Sequence, residues 1–242
     1  MLSLSTPLEK SNLSDMAYAA LKQALLSGRF APGERIVLRE LAAGMGISLT
    51  PVRDAINHLI AERVLERGPG GQKGGATIPW LDSAHFHQLM VLRADLESRL
   101  AVAAAANIAP EAVLELETIV DQMRQSIDHD NKSTYLDLHR QFHFSLYRHA
   151  HMDVVYEITE ILWLRCGPAL NAVLRDYVPN LKRRDYHRDA LIELKKGNID
   201  NVGRCIRSDI EEAGAYICAQ LDQEEGYLSM QKAPAKKVLA GV

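Results

Sequence analysis

Between His139 and His151 the chain reads HRQFHFSLYRHAH, four histidines in thirteen residues. His139 and His143 stand four apart, so on a helix their imidazoles share one face and can grip one cation together. Two imidazoles are half of a metal site, or part of a catalytic centre. The remaining partners must come from other parts of the chain, so the question becomes which elements bring polar residues to the same interior.

From Asp82 onward no strand signal is present. Breaks at Asn107–Pro110, Asp128–Ser133, Ala150–Asp153, Tyr177–Leu181 and Lys196–Ile199 divide this part into six helices, near 83–106, 110–127, 133–149, 153–177, 181–196 and 199–222. A bundle of such helices buries one apolar row from each. The row Phe86, Leu89, Arg93, Leu96, Leu100 carries an arginine, and the row Ile158, Ile161, Leu162, Arg165, Ala169 carries another. His139 and His143 flank the row Tyr135, Leu138, Phe142, Leu146; His187 lines up with Leu191 and Leu194; Asp209 sits among Val202, Ile206, Ala213 and Ile217. A buried carboxylate is costly unless it is paired or binds a metal. Three imidazoles and one carboxylate facing one interior make a ligand set for a divalent ion. Imidazole-rich sites suit zinc, nickel, copper or iron; zinc is expected first, with nickel, iron or manganese behind it. His149 and His151 fall at a helix end, where histidine serves terminal carbonyls, and are given no ligand role.

The bulk properties are those of a globular, cytoplasmic protein. The hydrophobic fraction is 47% over 242 residues, and Leu and Ala dominate. Cys166, Cys205 and Cys218 are odd in number and lie in helical segments, which predicts reduced core thiols. No apolar run is long enough to span a membrane, and MLSLSTPLEK lacks the basic start and apolar core of a signal peptide. Net charge is −3, but residues 1–80 hold nine Lys/Arg against seven Asp/Glu, a net of +2. That sign places any nucleic-acid contact in the N-terminal third.

That third has the pattern of a DNA reader. A first helix starts near Ser14 as N-cap. LRELAAGMG and the segment after ISLT form two short helices around a Gly-containing turn, with Thr50 placed to cap the second and Pro51 at its first position. Val64–Arg67 and Ala76–Ile78 pair as a hairpin around GPGGQKGG. Helix-turn-helix plus hairpin is a winged helix, whose second helix enters the major groove while the wing lysine reaches phosphate or the minor groove.

LLSGRFAPGERI, LRELAAGMGIS and TPVRDAINHLIAERVLER resemble the GntR family of bacterial transcription regulators over residues 17–79. The resemblance implies DNA contacts from Arg39, Ser48, Thr50, Arg53 and Lys73. Leu49 stands where that family commonly has an arginine; since arginine to guanine is the commonest specific contact, a different operator is expected.

Residues 84–215 resemble the FCD ligand-binding domain of the FadR-type subgroup, through LRADLE, FHFSLYRHA, YHRDALIELKKGNID and IRSDIEEA. The resemblance implies a metal held by His139, His143, His187 and Asp209, with His139 where aspartate is usual and Asp209 where histidine is usual. It also implies a small carboxylate effector gripped by Arg93; Arg165 is added from its apolar row alone.

The expected protein is mainly α. A winged helix-turn-helix with a small β-hairpin (1–79) precedes an all-α six-helix effector, metal-binding and dimerisation domain (80–223) and a disordered tail (224–242). It would act as a homodimer on an inverted repeat of double-stranded DNA, as a repressor released when an acid tightens the bundle and shifts the helix at 82–106. The alternatives are a regulator sensing the metal alone and a metallohydrolase. The hydrolase is disfavoured by the lack of a general base beside the ligands.

Overall fold

The computed structural model describes residues 9–27, 29–68, 75–177 and 185–232. In chain order these form α1 (Glu9–Leu26), β1 (Arg35–Ile36), α2 (Leu38–Met45), α3 (Leu49–Ala61), β2 (Glu66–Arg67) and β3 (Ala76–Thr77). There follow α4 (Ser83–Asn107), α5 (Pro110–Asp128), α6 (Lys132–Tyr147), α7 (Asp153–Tyr177), α8 (Tyr186–Lys196) and α9 (Ile199–Lys232). The class is mainly α with one small sheet.

The N-terminal unit closes around Leu21, Leu25, Val52, Ile56, Leu59 and Ile78. Its sheet has the order β1-β3-β2, all antiparallel, with Glu66 opposite Thr77 and Ile36 opposite Ala76. β1 was not expected: two residues give no alternation to read, and its only sheet neighbour is β3. Gly68 N–H bonds the Gly75 carbonyl at 3.1 Å and closes the base of the wing; Lys73 lies outside the described residues. α1 begins at Glu9, which puts Ser14 inside the helix. Ser48, not Thr50, stands at the N-cap position of α3, without a side-chain capping bond, and Pro51 is the helix's third residue. Proline is tolerated there because none of the first four helical N–H groups has an intrahelical partner.

The six helices of the C-terminal part share one core, from Phe86 and Leu100 through Phe142 and Leu146 to Ile206 and Ile217. Asp82 caps α4, accepting from His85 N–H at 2.7 Å. α4 and α9 run antiparallel, since Cys218 meets the Ser83 carbonyl and Gly203 lies against Ser98. A Cβ at Gly203 would strike the Val102 methyl and the Ser98 carbonyl, so glycine is what allows this approach. α9 runs on to Lys232, ten residues past the end expected from its periodicity and into the segment read as a tail.

α7 buries two faces. Trp163 and Cys166 enter the bundle core, while Leu164 is fully buried in the N-terminal core. Lys22 of α1 pairs with Glu160 of α7 at 3.0 Å. Arg165 is therefore only half-buried, and Ile158, expected inside, is exposed. Cys166, Cys205 and Cys218 are free thiols, and burial pushes Cys166 up to about 11.

Candidate metal centre and nucleic-acid surface

On the N-terminal unit, Arg39 in the first turn of α2 and Ser48, Thr50 and Arg53 at the start of α3 are all exposed. Pro51, Val52 and Ala55 in the same turns are buried, and Asp54 is exposed beside Arg53, so the polar positions present one outer surface. Leu49 is half-buried and packs on the domain's own core.

In the bundle, α6, α8 and α9 bring His139, His143, His187 and Asp209 to one point, with ligand atoms all within 4.8 Å of one another. His143 is 0% exposed, His187 3% and Asp209 8%; His139 sits at the rim. His143 Nε2 lies 3.2 Å from His139 Nε2 and 3.1 Å from His187 Nε2. Asp209 Oδ2 lies 3.5 Å from His139 Nε2, 3.4 Å from His143 Nε2 and 3.7 Å from His187 Nε2. Metal–ligand bonds of roughly 2.0–2.2 Å in a tetrahedral zinc site set ligand–ligand edges of roughly 3.3–3.6 Å, and the observed spacings straddle that range. The donor set and these five spacings suit a divalent ion.

Electrostatics favours the forms that bind a cation. Burial, and then the neighbouring His139, hold His143 well below the usual histidine value of 6.5; burial also lowers His187. Burial alone would raise Asp209, but the neighbouring imidazoles, His187 first and then His139 and His143, outweigh it and hold the carboxyl well below 3.8. As pH falls through 6.5 the unfolded chain takes up protons that these buried imidazoles refuse, so the metal-free protein loses stability below that value. Melting curves of stripped protein from about pH 8 to 5.5 should show a falling Tm, with a shallower fall in His143→Ala. A pH-independent Tm would contradict this assignment.

Three residues missed in the sequence, Glu97, Tyr147 and Trp163, surround the centre together with Arg93. Arg93, 2% exposed, donates from Nε to Glu97 Oε1 at 2.7 Å and lies 4.0 Å from the centroid of the Trp163 ring. Tyr147 donates to Glu97 Oε2 at 2.8 Å, and His143 Nδ1 lies 2.8 Å from the Tyr147 oxygen. Trp163 also packs against the His139 and His143 rings, at 5.7 and 5.5 Å between centroids. Glu97 stands four residues after Arg93, and Tyr147 four after His143; the same i, i+4 spacing that singled out His139 and His143 was there to find them. No contact joins Arg165 to the centre among the described residues. Beside it, a cavity of about 30 Å³ is lined by Met123, Tyr135, His187 and Asp209, among others.

Comparison with known proteins agrees with both halves. The model of the gntR family of bacterial regulatory proteins matches residues 13–72, and the FCD domain model matches 88–212, more than half of the chain. The transcriptional regulator McbR of Escherichia coli is 28% identical over 196 residues, covering 74% of this chain and 87% of McbR. The transcriptional repressor RspR of the same organism is 22% identical over 214 residues, covering 88% and 91%. The McbR/YncC structure superposes with a TM-score of 0.74 at 24% identity, over 93% of this chain and all of that one. A GntR regulator from Rhodococcus sp. RHA1 gives 0.68 at 20% identity, over 86% and 98%. A helix-turn-helix with an exposed polar face, joined to a bundle of FCD type, agrees with these matches: the chain belongs to the GntR family of bacterial regulatory proteins and is a DNA-binding transcription regulator with an FCD domain.

Proposed function

We propose that this regulator is metal-dependent. His139, His143, His187 and Asp209 hold one divalent cation, zinc before nickel, iron or manganese, and the state of that centre sets operator affinity. The observation that carries it is that three Nε2 atoms and one carboxylate oxygen lie within 4.8 Å of one another, five of their pairs at 3.1–3.7 Å. The ion supplies the positive charge that lets these lone pairs converge. Arg39, Ser48, Thr50, Arg53 and Lys73 contact DNA, and two copies of the chain read an inverted repeat. The repressor sense follows RspR, whose name states it.

Sensing of the metal itself now stands ahead of control by an organic acid. Arg93, the cation meant to grip that acid, is closed on Glu97. Four protein ligands complete a tetrahedral site, and a cavity of about 30 Å³ holds one or two waters. Thermal-shift screening separates the readings. A shift by zinc that carboxylates neither add to nor change supports metal sensing; stabilisation by a carboxylate that vanishes in Arg93→Ala supports the acid.

α7 links the centre to the DNA-binding unit. Trp163 touches the two histidine rings, and the next residue, Leu164, fills the N-terminal core. Pro168 in α7 removes the N–H that would bond the Leu164 carbonyl, so the helix is weakened at this joint. Leu164→Ala should leave zinc affinity within about twofold and shrink the metal-dependent change in DNA affinity, typically 5–150-fold, towards one. An undiminished change, read by anisotropy of labelled operator DNA, rules this route out.

A further inference from the structure

We propose that Tyr147 and Glu97 are positioning residues of the metal centre: Tyr147, anchored on Glu97, fixes His143 in the one tautomer that presents a bare Nε2 to the cation. This rests on reading the four residues as a metal centre. Arg93 Nε donates to Glu97 Oε1 at 2.7 Å and, with both side chains buried, orients the carboxylate. Tyr147 gives its single O–H proton to Glu97 Oε2 at 2.8 Å. Its oxygen then has nothing left to donate, so at 2.8 Å it can only accept from His143 Nδ1. Nδ1 therefore carries the hydrogen, and Nε2 turns an unprotonated lone pair towards His139, His187 and Asp209.

Tyrosine is essential to this chain of bonds, because His143 Nδ1 is 3.8 Å from the Glu97 carboxylate, too far for a direct bond. Among the described residues His187 has no equivalent: its Nδ1 stands 3.9 Å from Asp185 Oδ1. His143 is thus the preset ligand around which the others gather. Partners of this kind typically change metal affinity 10–100-fold.

The test uses the full chain. Zinc dissociation constants, read by competition with a chromogenic chelator, are expected to rise 10–100-fold in Tyr147→Phe, which keeps the ring and loses one hydroxyl. Nitrogen NMR of ¹⁵N-histidine-labelled, metal-free protein is expected to show His143 protonated on Nδ1 in the wild type and a tautomer mixture in Tyr147→Phe. A merely structural role would leave that signature unchanged. Equal zinc affinity in Tyr147→Phe, or a wild-type His143 protonated on Nε2, overturns the proposal. The wild-type spectrum decides even if the variant fails to fold. A wild type that binds no zinc but shows His143 as the Nδ1–H form defeats the metal-centre reading and leaves the hydrogen-bond chain standing.

Discussion

Arg53→Ala is expected to abolish operator-specific binding while leaving the fold intact. Arg53 projects from the second turn of α3 into solvent, and α3's inward residues, Val52, Ala55, Ile56 and Leu59, hold the helix without it. A good base contact is worth about 1–3 kcal/mol of discrimination. Over the two halves of an inverted repeat the loss is about 2–6 kcal/mol, at least roughly thirty-fold. Anisotropy titration of the upstream intergenic DNA against a scrambled duplex measures it. Retained discrimination by the variant sinks the contact assignment.

His143→Ala is expected to remove the metal and the stability the metal confers. His143 is the fully buried member of the set, and its Nε2 is within 3.4 Å of a donor atom of each of the other three residues. A ligand at a thousand times its dissociation constant stabilises the folded state by about 4 kcal/mol, or roughly 8–16 °C in Tm for a domain of this size. The wild type should show such a rise on adding zinc, and the variant should show none. An equal rise in both would mean that zinc binds elsewhere.

Much of this was legible from period alone. His187 and Asp209 lie far along the chain from His139, yet their apolar rows pointed them at one interior, and the structure puts them there. Family resemblance and periodicity agreed on these residues for independent reasons. Arg165 was misplaced because one buried row per helix was assumed. α7 packs against two cores at once, and Leu164 takes the face that a single-row reading left outside. Arg93 lies inside, as its row indicates, and the structure adds its partner Glu97, which the apolar row did not reveal. A stripe shows which way a side chain faces; it does not show what already neutralises it. Leu49 is the reverse case. Its departure from the family pattern was plain, and the structure adds a physical reason, packing against its own domain.

The centre formed by His139, His143, His187 and Asp209 is proposed to control DNA binding through a divalent ion. The most direct measurement is operator affinity of one preparation, stripped by chelator and then reloaded with one zinc per chain, with metal content read by elemental analysis. The account predicts affinities that differ by about tenfold or more, with the difference lost in His143→Ala. Equal affinities for stripped and fully loaded protein would contradict it.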